Sequence, residues 1–305
     1  MDAAQFSGQP LVILNPAANR GDMHRYRALV RQRAEQEGAE YVETRLQGEA
    51  KERAMQAASE DRPVIIVGGD GSVHEVVNGI LAAGRRVPLG IVAAGSGNDF
   101  AWNTLKLPHD PALALEQALH GQAVEVDAGM ANGRYFANSC SIGIDADIAV
   151  AAGAMKRYPL MSGSRLYYTT TLKQLLFGYG RCPWLRFELD GGAQVGKAVE
   201  RRYVLMAVTN GPTYGAGFRI NPSADHCDGL LDVCTIDYQP LLRALKMLPI
   251  VKKGEHQGLP EVTFYRAKSL SIESRSPVNV QMDGETTCAS SYRIEILPGA
   301  LLVRV

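Results

Sequence analysis

PVIIVGGDGSVHEVVNGI, residues 63–80, joins a short apolar run to a glycine-rich turn and then to a helical pattern. Residues 63–67 predict a buried strand, and residues 72–83 predict a helix with Ser72 as its N-cap. Three glycines let the backbone approach a ligand closely, and the unpaired N–H groups at a helix start favour phosphate. The stretch therefore predicts a phosphate-binding strand–turn–helix unit. An ordinary tight turn is the alternative reading.

Similar units flank this stretch on both sides. Apolar runs at 11–14, 40–46 and 89–92 predict strands, and helical patterns lie between them, including 48–59. Unbroken apolar strands that alternate with helices are typical of a parallel sheet covered on both faces. We therefore expect an N-terminal Rossmann-like α/β domain over residues 1–121.

The pattern changes after residue 121, where short strand-like runs are separated by turn residues. This indicates an antiparallel β-rich (sandwich) domain over residues 122–295, with helical stretches near 148–178 and 239–253. Residues 296–305 are expected to return to the first domain, and the active site is expected in the interdomain cleft. The predicted strands cover residues 124–127, 135–138, 185–189, 202–209, 231–236, 269–273 and 278–282.

Composition excludes several classes of protein. Of 305 residues, 46% are hydrophobic and 21% are charged, which is typical of a globular protein and not of a disordered or fibrous one. The 32 basic and 32 acidic residues balance, so the chain lacks the basic excess of a general nucleic-acid binder. Five scattered cysteines without a CxxC pair argue against a disulfide framework and favour a reducing compartment.

Two further motifs carry polar groups at turns. The loop at 95–99, Gly-Ser-Gly-Asn-Asp, follows the next predicted strand after residues 63–67, and loops at the carboxyl edge of a parallel sheet converge on one crevice. That crevice favours a polyphosphate. In Asp283-Gly284-Glu285, the central glycine permits a tight turn that aims two carboxylates at one site, and a solvated polar turn is the alternative.

With these motifs the chain resembles the bacterial soluble diacylglycerol kinase-like lipid kinases. Their superfamily also contains sphingosine kinases, ceramide kinases and NAD kinases. Ser72 and Ser96 stand where many members have Thr, so the hydroxyl is retained. The matching stretches, in the family's order, are residues 15–16, 68–80 (GGDGSVHEVVNGI), 95–101 (GSGNDFA), 138–146 (NSCSIGIDA), 210–233 and 282–285 (MDGE).

The resemblance implies a nucleotide site, a catalytic set and a metal site. Glu285 is implied as the base that takes the proton of the lipid hydroxyl, with Asp70 acting through Mg²⁺, although these two roles can be exchanged; Asp283 completes the catalytic set. A structural Mg²⁺ is implied at Asp228 together with the carbonyls of Asp225 and Leu230. The residues implied to bind ATP are Asn15, Thr44, Gly68, Gly69, Asp70, Gly71, Ser72, Val73, His74, Ser96, Gly97 and Asn98.

The function that follows from the resemblance is an ATP- and Mg²⁺-dependent kinase for a hydroxyl of diacylglycerol or a related lipid. A sphingoid base, a ceramide or NAD as the acceptor is one alternative, and a non-catalytic nucleotide-binding sensor is another. Asp99 after Asn98 favours the diacylglycerol group. Asp70, Asn98, Asp283 and Glu285 argue against the sensor, because binding alone needs no paired acids at a second site.

The expected partners are the lipid substrate and an anionic membrane surface, with no nucleic acid; a homodimer is left open. Residues 148–187 contain no acidic residue, and 238–254 form a second acid-free, basic stretch. Basic residues beside aromatic and aliphatic ones suit a membrane interface. The N-terminus lacks a signal-peptide pattern, so we expect a cytoplasmic protein that contacts the inner membrane face peripherally. The basic side chains of the first stretch are Lys156, Arg157, Arg165, Lys173, Arg181 and Arg186.

Overall fold

The chain divides into two compact units, Met1–Ala128 with Leu297–Val305, and Gly129–Ile296. The structure is a computed structural model that describes residues 8–155, 170–171, 173–191, 196–197, 200–215 and 217–305. Lys156, Arg157 and Arg165 of the predicted basic stretch lie outside these ranges. Among the helices that the structure describes, none is long and apolar enough to span a bilayer.

The first unit alternates strands and helices, as the sequence predicts. A short 3₁₀ turn at Ala18–Gly21 and a π-helical turn at Asp99–Thr104 interrupt the alternation. The elements are β1 Leu11–Leu14, α1 His24–Gln36, β2 Glu40–Glu43, α2 Glu49–Ser59, β3 Val64–Gly68, α3 Asp70–Ala82, β4 Pro88–Ala93 and α4 Pro111–His120.

Parallel pairing joins the strands of the first unit in the order β2–β1–β3–β4. Ile13, Ile66 and Ile91 lie in register across β1, β3 and β4, and all three side chains are buried. Every residue of β3 is buried, as expected of a parallel strand that is covered on both faces. The carboxyl ends of β1, β3 and β4 therefore bring their following loops to one edge of the sheet.

Helix α3 begins two residues earlier than predicted. Its N-cap is Gly69, and the predicted cap residue Ser72 already lies within the helix. The Ser72 hydroxyl instead accepts a hydrogen bond of 2.8 Å from Asn15 Nδ2. The prediction of Ser72 as N-cap was therefore wrong, because a contact from a distant strand end uses that hydroxyl.

The second unit is β-rich and contains two longer helices. Strand β5, Ala123–Ala131, enters it from the first unit, and the end of β14 returns to pair with β4. The other elements are β6 Arg134–Phe136, β7 Ser139–Gly143, α5 Ile144–Met155, β8 Trp184–Asp190, β9 Gly196–Lys197, β10 Arg201–Thr209, β11 Leu231–Asp237, α6 Leu241–Lys253, β12 Val262–Ala267, β13 Ser269–Met282 and β14 Glu285–Arg304.

The strands of this unit pair antiparallel in the order β12–β11–β10–β7–β13–β14. Strand β8 alternates exposed and buried residues, which is the pattern of a strand with one face on the core and one in solvent. Phe136 and Phe187 are fully buried in that core. The mixed α/β class with a β-rich second part is thus confirmed.

Two predicted strands are one strand in the structure. Residues 269–273 and 278–282 both belong to β13, whose register with β14 shifts between Glu273 and Val278. Pro277 lies in that irregularity, where its missing N–H removes no regular ladder bond. The sequence pattern broke at the bulge, so the single long strand was predicted as two.

Candidate functional site

Two glycines bring the loops after β3 and β4 into contact. A Cβ atom placed on Gly95 would lie 2.6 Å from the Cα of Gly69, and one on Gly69 would lie 3.0 Å from the Cα of Gly95. Main chain therefore passes against main chain with no room for a side chain. The two glycine loops that the sequence singles out meet at the edge of the sheet.

A carboxylate joins the same two loops. Asp70 Oδ2 accepts a hydrogen bond of 2.7 Å from the backbone N–H of Asn98. Asn98 lies in the left-handed region at φ 57°, which asparagine tolerates. Its side chain accepts a hydrogen bond from the Gly95 N–H and donates one to the Gly95 carbonyl. Asp70 and Asn98, both predicted to bind a nucleotide, are thus joined by a direct hydrogen bond.

The end of β1 contributes a third loop to this edge. Asn15 donates from Nδ2 to Ser72 Oγ and accepts at Oδ1 from the Ala17 N–H at 2.9 Å. Thr44, at the end of β2, is buried and its N–H bonds the Leu14 carbonyl at 3.0 Å. The structure therefore brings Asn15 to Ser72 and places Thr44 beside the end of β1.

Three predicted nucleotide ligands have different surroundings. Val73 and His74 are buried on α3, and the His74 ring lies 3.3 Å from Asn78 Nδ2 within the same helix. Ser96 is exposed at the tip of its loop. Val73 and His74 are thus buried side chains of α3, whereas Ser96 faces solvent.

The Asp283 carboxylate binds a run of backbone amides in the second unit. Its Oδ2 accepts from the Ala137 N–H at 2.7 Å, and its Oδ1 accepts from the N–H groups of Asn138 at 3.1 Å and Ser139 at 2.9 Å. Asp283 itself has φ 48°, a turn conformation. The carboxylate therefore fixes the turn to the start of β7. Its predicted catalytic role stays a prediction.

Glu285 follows that turn as the first residue of β14. Its carboxylate is half-buried, and no hydrogen bond or ion pair to it occurs among the described residues. Gly284, between the two acids, has φ 94° and donates its N–H to Gln281 Oε1 at 2.8 Å. The turn thus holds Glu285 on a fixed backbone and leaves its carboxylate available.

A chain of hydrogen bonds runs from this turn into the core of the second unit. Gln281 Nε2 donates to Ser141 Oγ at 2.8 Å, and the Ser141 hydroxyl donates to Asp145 Oδ2. Tyr214 OH donates to the same oxygen at 2.7 Å. Each bond points towards Asp145, so this carboxyl group is the end point of a directed network.

Burial changes the acidity of the two groups at the end of this chain. Desolvation raises the pKa of the Asp145 carboxyl, and the hydrogen bonds from Ser141 and Tyr214 oppose that rise. Burial and the neighbouring Asp145 carboxyl also raise the pKa of the Tyr214 phenol. Sequence reasoning assigned no role to Ser141, Asp145, Tyr214 or Gln281. The stretches 138–146, 210–233 and 282–285 contain or adjoin all four residues but give no signal of the contact.

The predicted cation turn is rich in oxygen and also carries softer ligands. Asp228 Oδ1 accepts from the Leu230 N–H at 3.0 Å, and its Oδ2 is bonded to Arg266. Side-chain ligand atoms of Asp225, His226 and Cys227 lie within 4.8 Å of one another. Asp225 and Asp228 therefore lie in one turn, where Arg266 supplies the positive charge.

Asp232 lies at the base of this turn with an unusual carboxyl group. Burial, and to a lesser extent the negative charge of Asp225, raises the pKa of the Asp232 carboxyl group to about 6. Its Oδ1 lies 3.4 Å from Arg266 Nε, and its buried Oδ2 has no hydrogen-bond partner among the described residues. A buried acceptor without a donor is a feature that a cation can satisfy.

Two family models match the chain and together span most of it. Residues 9–131 match the diacylglycerol kinase catalytic domain. Residues 138–305 match the YegS C-terminal NAD kinase beta sandwich-like domain. The first match contains the loops of Asp70 and Asn98, and the second contains the turn of Asp283 and Glu285.

Curated relatives and solved structures point to the same family as the two family models. A diacylglycerol kinase of Mycobacterium tuberculosis is 32% identical over 79% of this chain and 75% of its own length. One of Staphylococcus aureus is 29% identical over 90% of this chain and 85% of its own. A crystal structure of a candidate diacylglycerol kinase from Bacillus anthracis, 26% identical, has a TM-score of 0.77 and covers 97% of this chain and 94% of its own. On these matches the chain belongs to the diacylglycerol kinase family and is a kinase.

Proposed function

We propose that this chain is an ATP- and Mg²⁺-dependent lipid kinase that phosphorylates a hydroxyl group of diacylglycerol or a related lipid. The contact between Asp70 and Asn98 carries the proposal, because it joins two glycine loops at the carboxyl edge of a parallel sheet. Both curated relatives are named diacylglycerol kinase, which supports the same acceptor.

The first unit supplies the groups that suit a nucleotide. Phosphoryl transfer needs positioning and charge neutralisation more than covalent help from the protein. Gly68–Ser72 lies at the start of α3, where backbone N–H groups and the helix dipole favour a phosphate. Asn15, bonded to Ser72, holds the neighbouring loop against this helix start. A triphosphate is the ligand class that this edge fits.

The donor set around Asp70 fits a hard cation. Asp70 contributes a carboxylate and Ser72 a hydroxyl, and oxygen donors of this kind are those that Mg²⁺ prefers. A Cβ atom on Gly97 would lie 2.7 Å from Asp70 Oδ2, so the glycine is what leaves space beside the carboxylate. When bound, Mg²⁺ neutralises charge on the transferred phosphoryl group. Asp70 is the residue proposed to hold it.

Glu285 is the proposed acceptor of the proton from the lipid hydroxyl. A general base must be free to approach the acceptor, and the Glu285 carboxylate has no partner among the described residues. Asp283 is proposed to support it, because its bonds to the amides of residues 137–139 fix the turn on which Glu285 lies. In the alternative assignment, Asp70 is the base and Glu285 is not, and kinetics of variants at the two positions distinguishes the two assignments.

Asp225, Asp228 and Leu230 are proposed to hold a second, structural Mg²⁺. Asp232 Oδ2, which has no hydrogen-bond partner among the described residues, and the carboxylates of Asp225 and Asp228 form a negative, oxygen-rich set. Arg266 now balances part of that charge. This proposal concerns the stability of the second unit and not the transfer step.

The experiment is an acceptor panel with γ-labelled ATP and Mg²⁺. The panel contains diacylglycerol, monoacylglycerol, sphingosine, phosphatidylglycerol and NAD, each with the wild-type chain and with Asp70→Asn. We expect label in diacylglycerol or a close glycerolipid, and none with the variant. Label in sphingosine or NAD instead would replace the proposed acceptor, and bound ATP without any labelled acceptor would favour a nucleotide sensor.

A further inference from the structure

Helix α6 of the second unit is apolar on both sides. Its inner side packs Ala244, Met247 and Val251 into the core. A surface helix normally presents polar groups on its other side. Here the outer side carries Leu242, with 75% of its surface exposed, and Leu245, with 38% exposed. The helix therefore buries one apolar side and leaves a second one in solvent.

Lysines share that outer side with the leucines. Residues 242, 245, 246, 249 and 253 follow the spacing of a single helix face, and all five are exposed. We call Leu242, Leu245, Lys246, Pro249 and Lys253 the leucine–lysine face. No carboxylate in the described part of the chain pairs with Lys246 or Lys253. The face thus combines apolar side chains with uncompensated positive charge.

A turn that packs on the same core as α6 carries two more exposed apolar side chains. The π-helical turn Gln174–Gly178 exposes Leu176 by 59% and Phe177 by 74%. Tyr179, directly after it, donates from its hydroxyl to the Gln239 carbonyl at 2.7 Å, two residues before α6 begins. Leu175 and Leu241 pack on the same buried cluster. The exposed pair and the leucine–lysine face are therefore carried by elements that share one core.

We propose that the leucine–lysine face, with Leu176 and Phe177, docks this enzyme on an anionic lipid surface. The proposal deepens the proposed lipid kinase function, since it names the surface from which the lipid substrate is taken. Charge decides the occupant: α6 contains Arg243, Lys246, Lys252 and Lys253 but no acidic residue. Of these, only Arg243 pairs with a carboxylate among the described residues, that of Glu261 at 2.8 Å.

The side chains suit the depth profile of a membrane interface. Leucine and phenylalanine enter the boundary of headgroups and acyl chains, while lysine stems lie along it and keep their ammonium groups at the phosphates. Such a helix lies in the plane of the interface and does not cross it. Its binding depends on apolar area and on anionic lipid together, which gives the proposal two separate signatures.

The test is sedimentation with vesicles of phosphatidylcholine alone or mixed with phosphatidylglycerol in equal parts. Wild-type chain should bind the mixed vesicles, and added salt should weaken that binding because exposed charges are screened. The double variant Leu242→Ser with Leu245→Ser should reduce binding on the order of tenfold. The double variant Lys246→Gln with Lys253→Gln should reduce it similarly and flatten its salt dependence.

Leu113→Ser is the matched control. Leu113 lies on α4 of the first unit, is 63% exposed, and has no lysine on its helix. Its substitution should leave vesicle binding at the wild-type level. All these side chains lie at the surface, so the unfolding temperature of each variant should match the wild type, and circular dichroism checks this.

Turnover of a short-chain diacylglycerol that is dissolved as monomers separates docking from catalysis. The face variants should retain that turnover and lose activity only on vesicles. The docking proposal would be overturned if the wild type does not bind the mixed vesicles or binds neutral vesicles equally well. It would also be overturned if the face variants bind as strongly as the wild type. If the wild type is a dimer and the double variant Leu242→Ser with Leu245→Ser is a monomer, the face instead binds a second copy of the chain. Docking without any lipid phosphorylation would overturn the proposed function alone.

Discussion

The Asp70 carboxylate accepts the backbone N–H of Asn98 at 2.7 Å, across 28 residues of sequence. This bond ties the start of α3 to the loop after β4. A carboxylate that receives a charge-assisted hydrogen bond of this kind is held in one orientation. The two glycine loops are therefore fixed to each other, and the acid that is proposed to hold Mg²⁺ is part of what holds them together.

Alanine at Gly95 should disrupt this edge. Its Cβ atom would lie 2.6 Å from the Gly69 main chain, which has no side-chain end that can move aside. We expect Gly95→Ala to cost about 1–3 kcal/mol of unfolding free energy, the usual range for overpacking. Gly71→Ala on α3 meets nothing within 4 Å and is the folding control. Thermal unfolding of both variants tests this; equal unfolding temperatures would contradict the close approach.

Removing the Asp283 carboxylate should destabilise the second unit. Asp283→Ala leaves three backbone N–H groups without their acceptor, at residues 137–139, all of which are buried. Leaving buried donors unpaired costs about 1–3 kcal/mol for a group, so we expect a loss of about 3 kcal/mol. Urea unfolding measures it. Asp283→Asn keeps one acceptor oxygen and should lose less; an Ala variant as stable as the wild type would refute the anchoring role.

The buried Asp145 should make stability depend on pH in a defined direction. Its pKa is raised in the folded state, so folding favours the protonated form. Its contribution is fully present below the unfolded value near 3.8 and is lost as pH rises through the higher folded value. Asp145→Asn removes this dependence while keeping an acceptor for Ser141 and Tyr214. Its stability relative to the wild type should therefore increase as the pH rises above the unfolded value near 3.8.

Urea unfolding of both proteins at several pH values gives this difference directly. The comparison cancels the other titrating groups, because they are shared. A constant difference across the range would show that the Asp145 carboxyl keeps an ordinary pKa in the folded chain.

Magnesium should stabilise the second unit through its acidic turn. A ligand that binds only the folded state adds about 2.7 kcal/mol at 100 times its dissociation constant. We expect Mg²⁺ to raise the unfolding temperature of the wild type and to leave that of Asp228→Asn unchanged. Differential scanning fluorimetry without nucleotide measures both. An identical rise in both proteins would place the cation elsewhere.

Local patterns predicted the elements that local contacts determine. The buried run of β3 and the turn into α3 were readable because strand, glycines and helix are contiguous in sequence. The start of α3 was not, since the Ser72 hydroxyl is used by Asn15, 57 residues away. The continuity of β13 was hidden by Pro277 at its bulge, and β12 was not predicted at all.

In the candidate site, too, the sequence predicted what local contacts determine and missed what distant contacts determine. Asp70 and Asn98 were singled out as glycine-loop residues, and the structure bonds them. The network that ends at Asp145 joins Gln281 to Ser141 over 140 residues and Tyr214 to Asp145 over 69. No spacing rule relates positions so far apart, because strand pairing in the folded unit brings them together.

The most direct test of the account is the rate of phosphoryl transfer from ATP to dispersed diacylglycerol in Glu285→Gln and Asp70→Asn. Glu285→Gln removes the proposed base, whose carboxylate has no partner among the described residues. Asp70→Asn keeps an acceptor for the Asn98 N–H while removing the charge. Both variants should fold as the wild type does. The account predicts that kcat falls at least ~100-fold in each, the scale of a lost general base or charge contact, with labelled phosphatidic acid as the wild-type product. Near-wild-type turnover in both variants would contradict it.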